Sequence, residues 1–97
     1  MSDFRDINDK NVKANHAKQL LNQAHAEYQQ AGVPTDVLQA MVPHIAAAVK
    51  GFNAKHLGVE SDIAPETHLN HVVTLGDFGG APKIGKRLLR LFRKHNL

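Results

Sequence analysis

Ala14-Asn15-His16-Ala17-Lys18-Gln19-Leu20-Leu21-Asn22-Gln23-Ala24-His25-Ala26-Glu27-Tyr28-Gln29-Gln30-Ala31-Gly32-Val33-Pro34-Thr35 is the stretch that decides the fold. Ala14, Ala17, Leu21, Ala24, Tyr28 and Ala31 step alternately by three and four residues. That period, near 3.5, lays one apolar seam along a helix and suits packing against a partner helix. Leu20 broadens the seam. Gly32 then offers the left-handed residue that ends a helix, Val33 is its apolar follower, and Pro34 blocks continuation. Thr35 is placed to cap a second helix, with Asp36 favoured in its first turn. Asn8 or Asp9 is placed to cap the first. The first helix therefore spans about residues 10–31, roughly 33 Å at 1.5 Å per residue. Its alanine-rich seam suits packing within the chain, and a homodimer through the Ala14–Ala31 stripe is the alternative.

Outward from this hairpin, Leu38, Met41, Val42, Ile45, Val49 and Phe52 form the apolar stripe of the second helix. Pro43 interrupts it. A proline inside a helix removes a hydrogen bond and crowds the preceding turn, but the stripe keeps its phase across Pro43, which predicts a kink. Gly58 and Val59 repeat the stop signal. Residues 59–64 connect. Pro65 and Glu66 open a segment ending near Leu75. Val72-Val73-Thr74-Leu75 has strand propensity, but a lone strand has nothing to pair with, so a short helix is predicted. The expected architecture is all-α, one small domain over 1–97 with three to four helices: a long N-terminal helix, a Pro-kinked second helix, a short third segment and a basic amphipathic C-terminal helix. A flexible arm is expected over 1–8 and a Gly-rich hinge over 76–81.

The C-terminal segment carries the clearest functional signal. All nine acidic residues lie at or before Asp77, together with six of the twelve Lys and Arg. The other six are Lys83, Lys86, Arg87, Arg90, Arg93 and Lys94. The net charge of +3 thus hides an acidic body and a strongly basic end. Pro82 suits the first position of a helix. At about 100° per residue, the six bases fall within an arc of roughly 120°, opposite Ile84, Leu88, Leu91 and Phe92. Such a face suits phosphates or an acidic protein surface. A membrane-surface role is disfavoured, because Trp is absent and the apolar face is short.

Several classes of function are excluded or weakened. Without cysteine there is no disulfide and no thiolate metal site. The polar N-terminus lacks the apolar core of a signal peptide, and no run approaches the roughly 20 residues of a membrane span; a cytoplasmic location is expected. Gly80-Ala81-Pro82-Lys83-Ile84-Gly85-Lys86 fits a phosphate-loop pattern until Arg87 stands where Ser or Thr must hold Mg²⁺. Asp77-Phe78-Gly79 matches a kinase triplet without the rest of that machinery. Ser61-Asp62 reads as a turn, and the carboxylates are scattered. No catalytic residue and no cofactor is assigned.

Two other features are candidates. Gly79, Gly80, Ala81 and Pro82 form a loop that suits a prolyl isomerase at Pro82, with Ala81–Pro82 able to populate the cis isomer. Among seven histidines, His68 and His71 share a helix face. Two ligands do not complete a zinc site, so they are weak metal candidates. The sequence is of the same general type as short accessory or inhibitor proteins of phages and mobile elements. The expected function is a non-catalytic modulator whose C-terminal helix docks on a protein complex acting on nucleic acid, or directly on the DNA or RNA backbone. The alternatives are a His-based metal-dependent enzyme and a dimeric structural module.

Overall fold

A computed structural model describes the backbone of residues 2–97 and the side chains of residues 12–97. Among the described residues the chain is all-α. It has four helices: α1 (Ser2–Gln30), α2 (Thr35–Leu57), α3 (Pro65–Phe78) and α4 (Pro82–Lys94). Each helix packs on the next, and α4 returns to α1. At 1.5 Å per residue α1 is about 43 Å long, and it sets the 48 Å long axis of the molecule.

Helix ends follow the glycines. Gly32 (φ 87°), Gly58 (φ 73°) and Gly80 (φ 91°) adopt left-handed backbone. The N–H after each reaches back to a carbonyl five residues earlier: Val33 to Tyr28 (3.1 Å), Val59 to Ala54 (2.9 Å) and Ala81 to Gly76 (3.0 Å). Asn96 (φ 55°) plays the same part after α4, with Leu97 N–H donating to Phe92 O at 2.9 Å. This closure satisfies carbonyls that a helix end would leave bare, and an apolar residue follows it. Val33, Ala81 and Leu97 are buried at these positions.

α3 and α4 begin at Pro65 and Pro82, as expected, but the starts of α1 and α2 differ from expectation. Pro34, with extended backbone, precedes α2 and no side chain caps it, so Thr35 is the first helical residue and not the cap. α1 begins at Ser2. The helix therefore runs through residues 2–8 of the stretch read as an arm, and Asn8 and Asp9 lie inside it. Residues 65–75 are helical, and α3 continues to Phe78. The turn is thus shortened to Gly79-Gly80-Ala81, where a hinge over 76–81 was expected. Two backbone hydrogen bonds, Gly80 N–H to Asp77 O (3.1 Å) and Ala81 N–H to Gly76 O, tie that turn down. The Ala81–Pro82 peptide is trans.

The seam of α1 is used inside the fold. Ala14, Ala17, Leu20, Leu21, Ala24 and Tyr28 are all buried, which leaves only Ala31 of the stripe exposed. A homodimer through Ala14–Ala31 would compete with this packing. α2 is continuous through Pro43. Its buried residues are Val37, Met41, Ile45, Ala48, Gly51 and Phe52. The apolar face is therefore turned away from Val42, which is 51% exposed, because α2 must meet α3 as well as α1. Gly51 permits that second contact: a Cβ there would lie 2.8 Å from Pro65 Cβ and 3.0 Å from Ile63 Cγ2.

Tyr28 closes the core. Its ring crosses from α1 to α3, where a Cβ on Gly76 would lie 2.3 Å from Cε1. Its hydroxyl lies close to Gly85 of α4, whose added Cβ would sit 3.2 Å from the oxygen and 2.7 Å from Val73 Cγ1. Gly76 and Gly85 are slots that let α3 and α4 close on one phenol.

Candidate functional site: a basic helix face and a histidine cluster

The orientation of α4 is fixed by its inner face. Leu88 and Phe92 are buried, and Phe92 packs against Phe52 at 4.9 Å between ring centroids. Burying each such side chain contributes about 1.5–3 kcal/mol. Ile84 and Leu91 line the seam with α1, beside Leu20 and Ala24. With that side packed, Lys83, Lys86, Arg87, Arg90, Arg93 and Lys94 are all exposed. The structure thus brings the six bases onto one outer face of a helix about 20 Å long at 1.5 Å per residue.

The six are not equivalent. Arg87 Nη2 donates to Glu27 Oε2 of α1, placing it at the α1 edge of the row. Among the described residues the other five form no ion pair. The glycines of the phosphate-loop-like stretch have packing roles: Gly80 ends α3, and Gly85 makes room for Tyr28 and Val73. Pro82 is exposed and Ala81 is buried.

A second site comes from α2 and α3. The face of α2 that carries Gly51 also carries His44, two turns earlier. Where it meets α3 it brings His44 against His68 and His71. His44 Nδ1 lies 3.2 Å from His68 Nδ1 and 3.3 Å from His71 Nδ1, and one ring nitrogen from each residue lies within 4.8 Å of the other two. His44 and His68 are half-buried and His71 is exposed. Burial, then the neighbouring imidazoles of His71 and His68, holds His44 below its ordinary value. The sequence offered the His68–His71 pair through its spacing; His44 could join it only through the fold, and the pairing of α2 with α3 supplies it.

The remaining histidines have other surroundings. His25 Nε2 donates to Leu38 O at 3.3 Å, which fixes its tautomer because a carbonyl only accepts. His16 packs on His95 with ring centroids 4.6 Å apart. His56 stacks on Phe52, and its Nε2 is buried without a hydrogen-bond partner among the described residues. Burial and the charges of Lys55 and Lys13 push His56 down, against the opposing pull of Glu66. Lys55 Nζ donates to Glu66 Oε1 (2.8 Å) and Leu97 O (3.1 Å), tying α2 to α3 and to the end of the chain. That bond holds the Glu66 carboxyl below its usual range.

Among the described residues, no helix is long and apolar enough to cross a membrane. Comparison with known proteins finds no matching family model, no matching curated protein and no matching solved structure.

Proposed function

We propose that the chain is a non-catalytic binding protein that engages the phosphate backbone of nucleic acid through the outer face of α4. The observation that carries this reading is the single-sign row of Lys83, Lys86, Arg90, Arg93 and Lys94, exposed on a helix whose apolar side is packed into the core. A protein interface wants an apolar, aromatic centre. Here the apolar residues of α4 face inward, and the outer face offers mainly charge. Phosphate contacts need only charge and donors and do not read sequence. Phe78, 83% exposed at the end of α3, precedes the basic helix in the chain and offers a ring on which an unpaired base can stack.

Anisotropy titrations of labelled duplex and single-stranded oligonucleotides at several salt concentrations test the reading. Neutralising about five phosphates gives a slope near −4 to −5 in log K against log salt on duplex. Reversing Lys86, Arg90 and Arg93 to Glu should abolish binding while the helical circular dichroism is kept. Arg87 is left intact in this variant, because a glutamate there would face Glu27. A flat salt response, or binding that survives the triple reversal, overturns the proposal. If the chain instead captures a partner that nuclease treatment does not release, the basic row serves an acidic protein.

A further inference from the structure

We propose that His44, His68 and His71 form a three-imidazole site for one divalent transition-metal ion of the Zn²⁺ class, bridging α2 and α3 with its outer coordination position open to solvent. This site is separate from the basic face of α4 and stands whether or not that face binds nucleic acid.

The distances carry the inference. Zn–N bonds of about 2.0–2.1 Å in a tetrahedron place neighbouring ligand nitrogens about 3.3–3.4 Å apart. The two shortest separations in the cluster are 3.2 and 3.3 Å. Hydrogen bonding accounts for the geometry less well. Both contacts converge on His44 Nδ1, which carries either one proton or one lone pair, so it makes one well-directed bond to a second imidazole and not two. A cation at the centre accepts all three lone pairs together.

The scaffold suits the ligands. His68 and His71 are three residues apart on α3 and share a face. His44 is delivered by α2, whose contact with α3 is set close by at Gly51 and Pro65. All three donors are imidazole, which suits Zn²⁺, Cu²⁺ or Ni²⁺ and not Mg²⁺ or Ca²⁺. The exposure of His71 gives the ion a way in. His16 and His95 form another close pair, but among the described residues no third ligand joins them.

The test uses the full chain without an affinity tag, stripped of metal and titrated with Zn²⁺ by calorimetry and with Co²⁺ by its visible spectrum. One equivalent should bind, with the intense visible absorption of tetrahedral Co²⁺. His71→Ala and His68→Ala should each weaken binding at least about tenfold, the scale on which even outer supports of a metal ligand act. His16→Ala should leave it unchanged. Zn²⁺ should also raise the Tm of the wild type and not that of the double variant His68→Ala/His71→Ala. Circular dichroism of each metal-free variant confirms that the fold is kept. Wild-type chain that takes up neither ion overturns the site. So does uptake unaltered in both His68→Ala and His71→Ala, or uptake lost in His16→Ala alone.

Discussion

Two clusters hold separate helices together, and they do so by opposite means. At Tyr28, α1, α3 and α4 meet around one fully buried ring, with glycines where the neighbours approach. At His44, α2 and α3 meet through polar rings that are half-buried or exposed. The first contact is steric, dry and indifferent to solutes. The second is electrostatic, open and available to protons or a cation. The difference teaches where this small domain keeps its stability and where it keeps chemistry.

The largest expected effect follows from the first cluster. Gly76→Ala places a Cβ 2.3–2.5 Å from two ring carbons and the hydroxyl oxygen of Tyr28. Nothing there is the free end of a flexible chain, so α3 must move or the ring must leave its slot. Overpacking of this kind costs about 3 kcal/mol or more. Urea denaturation should show it as a large fall in midpoint, whereas Gly32→Ala, in open space, pays only for its left-handed backbone. If Gly76→Ala keeps the wild-type midpoint, the Tyr28 slot is not what holds α3.

Tyr28→Phe is smaller and opposite in sign. The Tyr28 hydroxyl is buried without a hydrogen-bond partner among the described residues. Burial, then the carboxylates of Asp77 and Glu27, pushes its pKa up to about 12. A buried polar group left unpaired costs about 1–3 kcal/mol. Removing the oxygen while keeping the ring should therefore raise stability by about 1 kcal/mol. A loss of stability in thermal unfolding would mean that the hydroxyl has a bonding role.

These two clusters also mark how far the sequence can be read. The seam from Ala14 to Tyr28 and the stops at Gly32 and Gly58 were legible, because helix period and left-handed glycine are local properties. The two faces of α4 were legible for the same reason. What Gly76 and Gly85 do was not: a glycine inside a helix looks like a weak position until a ring from another helix arrives. His44 was hidden in the same way. Its partners lie 24 and 27 residues further along the chain, and only the packing of α2 on α3 selects it over the other histidines. The outward turn of Val42 had a similar cause, since a stripe read for one neighbour shifts when a helix serves two.

pH separates the clusters further. His56 sits below its ordinary value of 6.5, so the unfolded chain takes up the proton first as pH falls. Its contribution to stability is intact above about 6.5 and declines as pH drops from there through the folded value. Glu66, also lowered, adds a second loss that begins below 4.5. Midpoints measured from pH 8 to pH 4 should fall at first through His56 and His44, both held low, and His56→Gln should flatten only part of that upper fall. The Tyr28 slot contributes nothing in this range, because its phenol stays protonated throughout. A midpoint rising toward pH 5 would contradict the sign.

The smallest expected effect is the sharpest test of the contrast. His71→Ala, in metal-free protein at pH 7, removes an exposed side chain from an open cluster. It leaves no cavity, and it relieves one of the influences that hold His44 low. Surface substitutions of this kind change stability by no more than about 0.5 kcal/mol. The same urea series that places Gly76→Ala far below wild type should thus place His71→Ala beside it. Zn²⁺ should then separate the pair, raising the wild-type midpoint and leaving that of His71→Ala nearly where it was. If His71→Ala is as damaging as Gly76→Ala without metal, the histidines hold α2 to α3 by packing, and the contrast between a structural cluster and a chemical one fails.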